Sequence, residues 1–133
     1  MTNTNQKRFG LSKLERIKKK NDFSRVYNSG KTIYSNSRKL KAIFCFGEVQ
    51  SEKIKVAFAI SRKAGNAVWR NRLRRILKES YRLNKGILST CNQSSLVVFS
   101  PANLNKKKTP KLFLKDIETE MVTLLKKLQE ELT

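Results

Sequence analysis

The chain has 133 residues, a length typical of one domain, and 38% of them are hydrophobic, which is enough for a modest core. It carries 30 Lys and Arg against 10 Asp and Glu, a formal net charge of +20, and such a charge favours a polyanionic partner because it otherwise repels itself. The chain has no histidine, which removes the commonest general acid–base group and the commonest zinc ligand.

The N-terminal residues predict no targeting segment. Residues 1–6 are small and polar with no apolar stretch after them, and no run approaches the roughly 18 apolar residues of a membrane span. We expect residues 1–8 to be a flexible segment and residues 9–133 to form a single domain. Cys45 and Cys91 lie far apart in no metal-binding spacing, so we expect two buried free thiols and a cytoplasmic protein.

The first predicted element is a short helix over residues 20–30. Phe23, Val26 and Tyr27 have the i, i+3, i+4 spacing that places them on one helix face. Phe23 and Tyr27 have two interpretations. They either pack in the core or border a groove in which unpaired bases stack.

Strand patterns follow the helix. In residues 40–46 and 54–60 the side chains alternate with a period of two, and residues 96–99 form a third apolar run that ends before Pro101. We expect a further edge strand near residues 48–51. Lys39 and Lys41 accompany the first run and could line the groove beside the first helix.

A second helix is predicted over residues 66–83, between the last two strands, which makes a βαβ pattern. At 3.6 residues per turn its apolar arc contains Trp69, Leu73, Ile76, Leu77 and Ser80, and its opposite side carries the row Arg70, Arg74, Lys78 and Arg82. A last helix over residues 111–132 has an apolar stripe typical of core packing.

The row of like charge indicates the function of the second helix. Each i, i+4 pair of cations destabilises an isolated helix by a few tenths of a kcal/mol, and only Glu79 lies near enough to relieve it. Phosphates complement the planar fork of arginine, so we expect this face to bind nucleic acid rather than only water. Gly65 is expected to let the chain turn sharply, Asn66 to cap the helix, and free N–H groups there to accept a phosphate.

Residues 63–75 read Lys-Ala-Gly-Asn-Ala-Val-Trp-Arg-Asn-Arg-Leu-Arg-Arg, and this segment resembles the signature of the bacterial ribonuclease P protein subunit. Residues 20–27 resemble the first helix of that family, and the order of elements is similar over roughly residues 9–128. The resemblance implies an α+β fold, an α-β-β-β-α-β-α two-layer sandwich with a mixed sheet and a left-handed βαβ crossover.

The resemblance also implies the partners. The family's protein pairs with a catalytic RNA subunit that removes the 5′ leader of precursor tRNA, and Mg²⁺ acts with that RNA rather than on the protein alone. The family signature and the charged side of the second helix together give the residues expected to contact the RNA subunit. They are Arg62, Lys63, Asn66, Arg70, Asn71, Arg72, Arg74, Arg75 and Lys78. Those expected to line a cleft for the leader are Phe23, Tyr27, Lys39, Lys41 and Phe44.

The carboxylates give no sign of a protein nuclease. None of the ten forms a DxD pair, and there is no phosphate-binding glycine loop or Ser–His or Cys–His arrangement. We therefore expect an accessory subunit of an RNA-catalysed endoribonuclease, with no catalytic residue and no metal site in the protein. The alternatives are a structural ribosomal or general RNA-binding protein, which needs no leader cleft, and a protein-only endonuclease, which needs acids and bases that are missing here.

Overall fold

The computed structural model describes residues 15–47, 54–91 and 93–133. Its elements follow the expected α-β-β-β-α-β-α order. They are α1 (Lys20–Ser29), β1 (Lys31–Tyr34), β2 (Leu40–Phe46), β3 (Ile54–Phe58), α2 (Ala67–Asn84), β4 (Ser95–Pro101) and α3 (Leu114–Leu132), with short 3-10 turns at Arg62–Ala64 and Lys85–Thr90.

The four strands form one mixed sheet in the order β1-β2-β4-β3. The β1–β2 and β2–β4 pairs are antiparallel, whereas β3 and β4 are parallel neighbours joined through α2. A parallel pair needs such a crossover because a tight turn returns the chain antiparallel. The mixed sheet and the βαβ unit are confirmed, and the hand of the crossover stays a prediction from the resemblance.

The larger core lies between one face of the sheet and the helices α2 and α3. Leu40, Ala42 and Phe44 of β2 point into it, as do Val56 of β3 and Phe99 of β4. The helices contribute residues that are fully buried, among them Leu73, Leu77, Met121, Leu124, Leu125 and Leu128. The predicted apolar stripes of both long helices are therefore confirmed as core.

The opposite face of the sheet is covered by α1 and the segment before it. Val26 of α1 and Ile17 are buried against Leu96 and Val98, with Phe23 packed beside them. Ala57 of β3 and Ala59 just after it pack in this cluster, and their small side chains leave room for α1. The Ile17 N–H donates to Val56 O at 2.9 Å, which holds the segment along the edge of β3.

The observed elements differ from the expected ones in two respects, and two further expectations concern residues that the structure does not describe. The strand that the alternation did not show is β1, a short edge strand that is at most half-buried and that pairs with β2. The helix α3 begins at Leu114 rather than at residue 111. The flexible segment expected at residues 1–8 and the edge strand expected at residues 48–51 lie outside the described residues. Within the described part, no helix is long and apolar enough to cross a membrane.

Candidate nucleic-acid interface

The start of α2 is fixed by a capping side chain. Asn66 precedes the helix, and its Oδ1 accepts a hydrogen bond of 2.9 Å from the Trp69 N–H. This satisfies one of the N–H groups that a helix leaves without an intrahelical partner. The predicted cap is confirmed.

Gly65 is required for a different reason from the one expected. Its backbone is extended, with φ 173° and ψ −178°, so no special turn demands a glycine. A Cβ on Gly65 would lie 2.8 Å from Cε3 of Trp69 and 3.0 Å from Cβ of Lys106. The glycine therefore lets the indole ring and the loop after β4 approach the backbone closely.

The loop between β4 and α3 runs along the first half of α2. The Lys106 N–H donates to Ala64 O at 2.7 Å, and Trp69 Nε1 donates to Thr109 O at 2.9 Å. Further along, Arg72 Nη2 donates to Leu112 O at 3.1 Å. These contacts place the exposed lysines of residues 106–108 beside the 3-10 turn that carries Arg62 and Lys63.

Three arginines in the first half of α2 are bound by neutral acceptors. Arg70 Nε donates to Gly65 O at 3.1 Å, Arg74 Nη1 donates to Asn71 Oδ1 at 2.9 Å, and Arg72 donates to Leu112 O. A neutral acceptor orients a guanidinium group without cancelling its charge. These groups are therefore held in place and remain positively charged toward the solvent.

The remaining cations of this surface have no acidic partner among the residues that the structure describes. Arg62, Lys63, Arg75 and Lys78 are exposed, and none forms an ion pair there. The one carboxylate of α2, Glu79, is bound by Arg82, with Nη2 and Oε2 2.5 Å apart. That hydrogen bond holds the pKa of Glu79 below its ordinary value. We name the cations Arg62, Lys63, Arg70, Arg72, Arg74, Arg75 and Lys78 the α2 surface.

The lysines of residues 106–108 extend the α2 surface, although they were not among the residues predicted for it. They are exposed, and Lys106 and Lys107 share a depression with Lys63 and Gly65. A run of three lysines was visible in the sequence. Its position beside α2 depends on the path of the loop after β4, which alternation and helical periodicity do not reveal.

The expected leader cleft corresponds to the side of the sheet that α1 covers. Tyr27 of α1 is 53% exposed, whereas Phe23 is partly buried in the smaller core, so core packing accounts for Phe23 but not for Tyr27. Lys41 pairs with Tyr34 in the sheet and is half-buried, and Lys39 is exposed in the turn before β2. These four residues lie on or beside the α1 side of the sheet.

Phe44 does not belong to that side, and its assignment to the cleft is wrong. Its side chain is only 3% exposed and lies in the larger core beneath α2 and α3. Successive residues of a strand point to opposite faces, so the neighbours of Phe44 that face α1 are Ile43 and Cys45. Cys45 and Cys91 are both free, as expected, but they are half-buried rather than buried. Partial burial raises the pKa of the Cys45 thiol.

The structure adds two residues to the α1 side that the sequence analysis missed. Tyr34 lies opposite Lys41 on the same face, and the Arg38 guanidinium carbon lies 4.1 Å from the centroid of the Tyr34 ring. Arg38 has φ 62°, an uncommon backbone conformation for a residue with a side chain. The Asn103 N–H donates to Arg38 O at 3.2 Å and helps hold this turn. Both residues were missed because β1 was not recognised.

Comparison with known proteins gives a consistent result. The profile of the family described as Ribonuclease P matches residues 11–129. The ribonuclease P protein component of Clostridium novyi is 38% identical over 118 residues, covering 88% of this chain and 96% of that protein. The component of Alkaliphilus metalliredigens is 33% identical over 114 residues, covering 86% and 93%. The solved RNase P protein from Thermotoga maritima matches with a TM-score of 0.69 at 22% identity, covering 85% and 96%, and so shares the fold.

Proposed function

Because the chain belongs to the ribonuclease P protein family, we propose that its two exposed surfaces bind two different RNA molecules. As a protein component of ribonuclease P, the chain assists the RNA subunit in removing the 5′ leader of precursor tRNA. The α2 surface binds the RNA subunit, and the α1 side of the sheet binds the single-stranded leader of the precursor tRNA.

The state of the arginines is the observation that carries the first assignment. Three of these cations are oriented by neutral acceptors, and the others are exposed without a carboxylate among the described residues, so together they form an array of uncompensated positive charge. Each phosphate that such a cation contacts releases counterions from the RNA, which drives binding at low salt. Arginine adds a planar donor fork that matches phosphate oxygens. A folded RNA with closely spaced phosphates complements this array.

The second assignment rests on the chemistry of the α1 side. Tyr27 presents an exposed ring on α1, while Tyr34 and Lys41 lie opposite each other on the sheet and Arg38 stacks on Tyr34 from the turn after β1. Aromatic rings stack with unpaired bases, and nearby cations follow the backbone of a single strand. This combination suits a leader without base pairing, and it supports leader binding on the side of the sheet opposite α3.

We assign the chemical step to the RNA and to Mg²⁺ held by its phosphates. The chain has no histidine, and its described residues contain no group of three or more possible metal ligands among His, Cys, Asp and Glu. Within the described residues, the protein therefore offers no clustered set of ligands for Mg²⁺. Its cations instead reduce the repulsion between RNA phosphates, which lowers the Mg²⁺ concentration that the RNA needs to fold and bind substrate.

The test is reconstitution with the RNA subunit of ribonuclease P from the same organism at low Mg²⁺. We expect the protein to stimulate cleavage of precursor tRNA strongly, and Arg74→Ala with Lys78→Ala to lose most of that stimulation. Lys31→Ala with Lys126→Ala removes the same charge outside both surfaces and should retain it. No stimulation by the natural protein, or cleavage by the protein without RNA, would contradict the proposal.

The leader assignment has its own test in the reconstituted enzyme. We expect precursor tRNA to bind more tightly than mature tRNA, which has no leader. Tyr27→Ala should reduce the ratio of these two affinities by about fivefold to tenfold, the effect of losing one stacked base. A general RNA-binding protein would show no preference for the leader, and a preference that Tyr27→Ala leaves intact would place the leader elsewhere.

A further inference from the structure

Phe113 occupies a position where neither helix capping nor core packing accounts for it. It is the N-cap residue of α3 and makes no side-chain capping bond, whereas Ser, Thr, Asp or Asn at such a position usually stabilises a helix. Its side chain is not buried either, because the residue is 55% exposed. Among the described residues, a large exposed ring at this point has no structural reason that we can identify.

The ring forms one wall of a cleft that borders the α2 surface. The cleft has a volume of about 420 Å³, within the range of roughly 300–1,000 Å³ found for small-molecule sites. Ile76 and Leu112 supply apolar walls, and Arg72 and Arg75 supply positive charge. It therefore combines an aromatic ring, an apolar lining and two guanidinium groups.

The two arginines of the cleft differ in whether the protein holds their guanidinium groups in place. Arg72 is fixed by its bonds from Nε and Nη2 to Leu112 O, at 3.3 and 3.1 Å, so its position is set by the same loop that carries Phe113. Arg75 is exposed and has no ion pair among the described residues. Glu79 also lines the cleft, and both its carboxylate oxygens accept hydrogen bonds from Arg82. The net charge that faces a ligand is therefore positive.

We propose that this cleft binds one unpaired nucleotide of the RNA subunit, with its base stacked on Phe113 and its phosphate at Arg75. This inference rests on the proposed function, since it takes the RNA subunit as the partner of the α2 surface. A base has an apolar π-face for the ring and the apolar walls, and its phosphate complements the arginines. An apolar protein segment would match Phe113 and Ile76 but would supply no negative charge to the two guanidinium groups.

The test measures the affinity of Phe113 variants for the RNA subunit of ribonuclease P from the same organism. Phe113→Ala should weaken binding about tenfold, and Phe113→Leu should weaken it similarly because leucine has no ring to stack. Phe113→Tyr should bind like the natural protein. The dependence of affinity on salt should be unchanged in all three variants, because stacking involves no phosphate contact.

Controls separate this inference from the proposed function and from a folding defect. Arg74→Ala with Lys78→Ala should lower both the affinity and the salt dependence. If that variant binds weakly while Phe113→Ala and Phe113→Leu bind normally, the nucleotide site is refuted and the proposed function stands. If the natural protein does not bind the RNA, the proposed function itself fails. Should Phe113→Ala unfold, the comparison of Phe113→Leu with Phe113→Tyr decides, since both keep a large side chain.

A fluorescence experiment tests the contact directly. Trp69 is the only tryptophan of the chain and is 4% exposed, so its emission should change little on RNA binding. Phe113→Trp adds an exposed indole at the cleft, and stacking on a base should quench it when the RNA subunit is added. If RNA changed the tryptophan fluorescence of the natural protein and of the Phe113→Trp variant equally, the proposal would be overturned.

Discussion

The two long helices of this protein differ in how their outward charges are used. The helices α2 and α3 have 18 and 19 residues and pack against the same face of the sheet. Both bury a continuous apolar stripe in the larger core. Yet α2 carries six cations and one carboxylate, whereas α3 carries three cations and five carboxylates. The difference therefore lies on the side that faces away from the core.

Several of the charges of α3 are engaged within the chain. The Glu120 carboxylate accepts hydrogen bonds from the hydroxyls of Ser35 and Ser37, and Glu131 pairs with Lys31 at 2.7 Å. Lys127 Nζ donates to Tyr34 O at 2.8 Å. These contacts tie α3 to β1 and to the turn after it. One helix thus uses its charges to hold the fold, while the other keeps its charges available to an external polyanion.

The first prediction tests whether the core-facing sides of α2 and α3 contribute equally to stability. It has the largest expected effect on the free energy of unfolding. Leu77 of α2 and Leu125 of α3 are both fully buried, so truncating either to alanine should lower the free energy of unfolding by about 2–5 kcal/mol. Urea denaturation measures both values. A much smaller loss for one of the two leucines would show that the helices do not share one core.

The second prediction concerns the charges that α3 uses internally. Glu120→Ala should lower the free energy of unfolding by about 1–3 kcal/mol, because the buried Ser35 hydroxyl loses its acceptor. Glu120→Gln keeps an oxygen that can accept and should cost less. The affinity for the RNA subunit should be unchanged in both variants. Weaker RNA binding with normal stability would instead assign Glu120 to an RNA surface.

The third prediction concerns the single ion pair of α2 and has the smallest effect. The pKa of Glu79 is lowered by Arg82, so the pair stabilises the fold above the ordinary pKa of glutamate, and this stability is lost as the pH falls through the lowered pKa. Glu79→Gln should therefore reduce Tm slightly at pH 7, and this difference in Tm should shrink as the pH falls through the lowered pKa of Glu79. A difference in Tm that stays constant across an acid titration would mean that the ion pair is not its cause.

Periodicity predicted the elements with strong patterns and failed where both faces of an element are buried. The stripe of α2 and its Asn66 cap followed from residue spacing because a helix has one inward side. The strand β2 is apolar on both faces, since one faces α1 and the other faces α3. Alternation alone does not tell which face meets which helix, and Phe44 was therefore assigned to the wrong side.

The parts of the site that depend on loops were not predictable from the sequence. The residues of β1 are too few and too exposed for a clear alternation, so Tyr34 was missed. The closeness of Gly65 to the Trp69 ring depends on how the loop after β4 packs against α2. The same loop places Phe113 beside Arg72, 41 positions away along the chain. Local patterns carry no information about contacts at such separations.

The central claim is that α2 keeps its cations for RNA phosphates, and the salt dependence of affinity for the RNA subunit tests it most directly. For the natural protein, the logarithm of the association constant should fall steeply and linearly with the logarithm of salt concentration. Arg74→Ala with Lys78→Ala should reduce that slope by about 1.4–1.8 and weaken binding about 30-fold near 0.15 M salt, the effect of two lost phosphate contacts. Lys31→Ala with Lys126→Ala should leave the slope unchanged. Equal slopes for the natural protein and the α2 variant would contradict the claim.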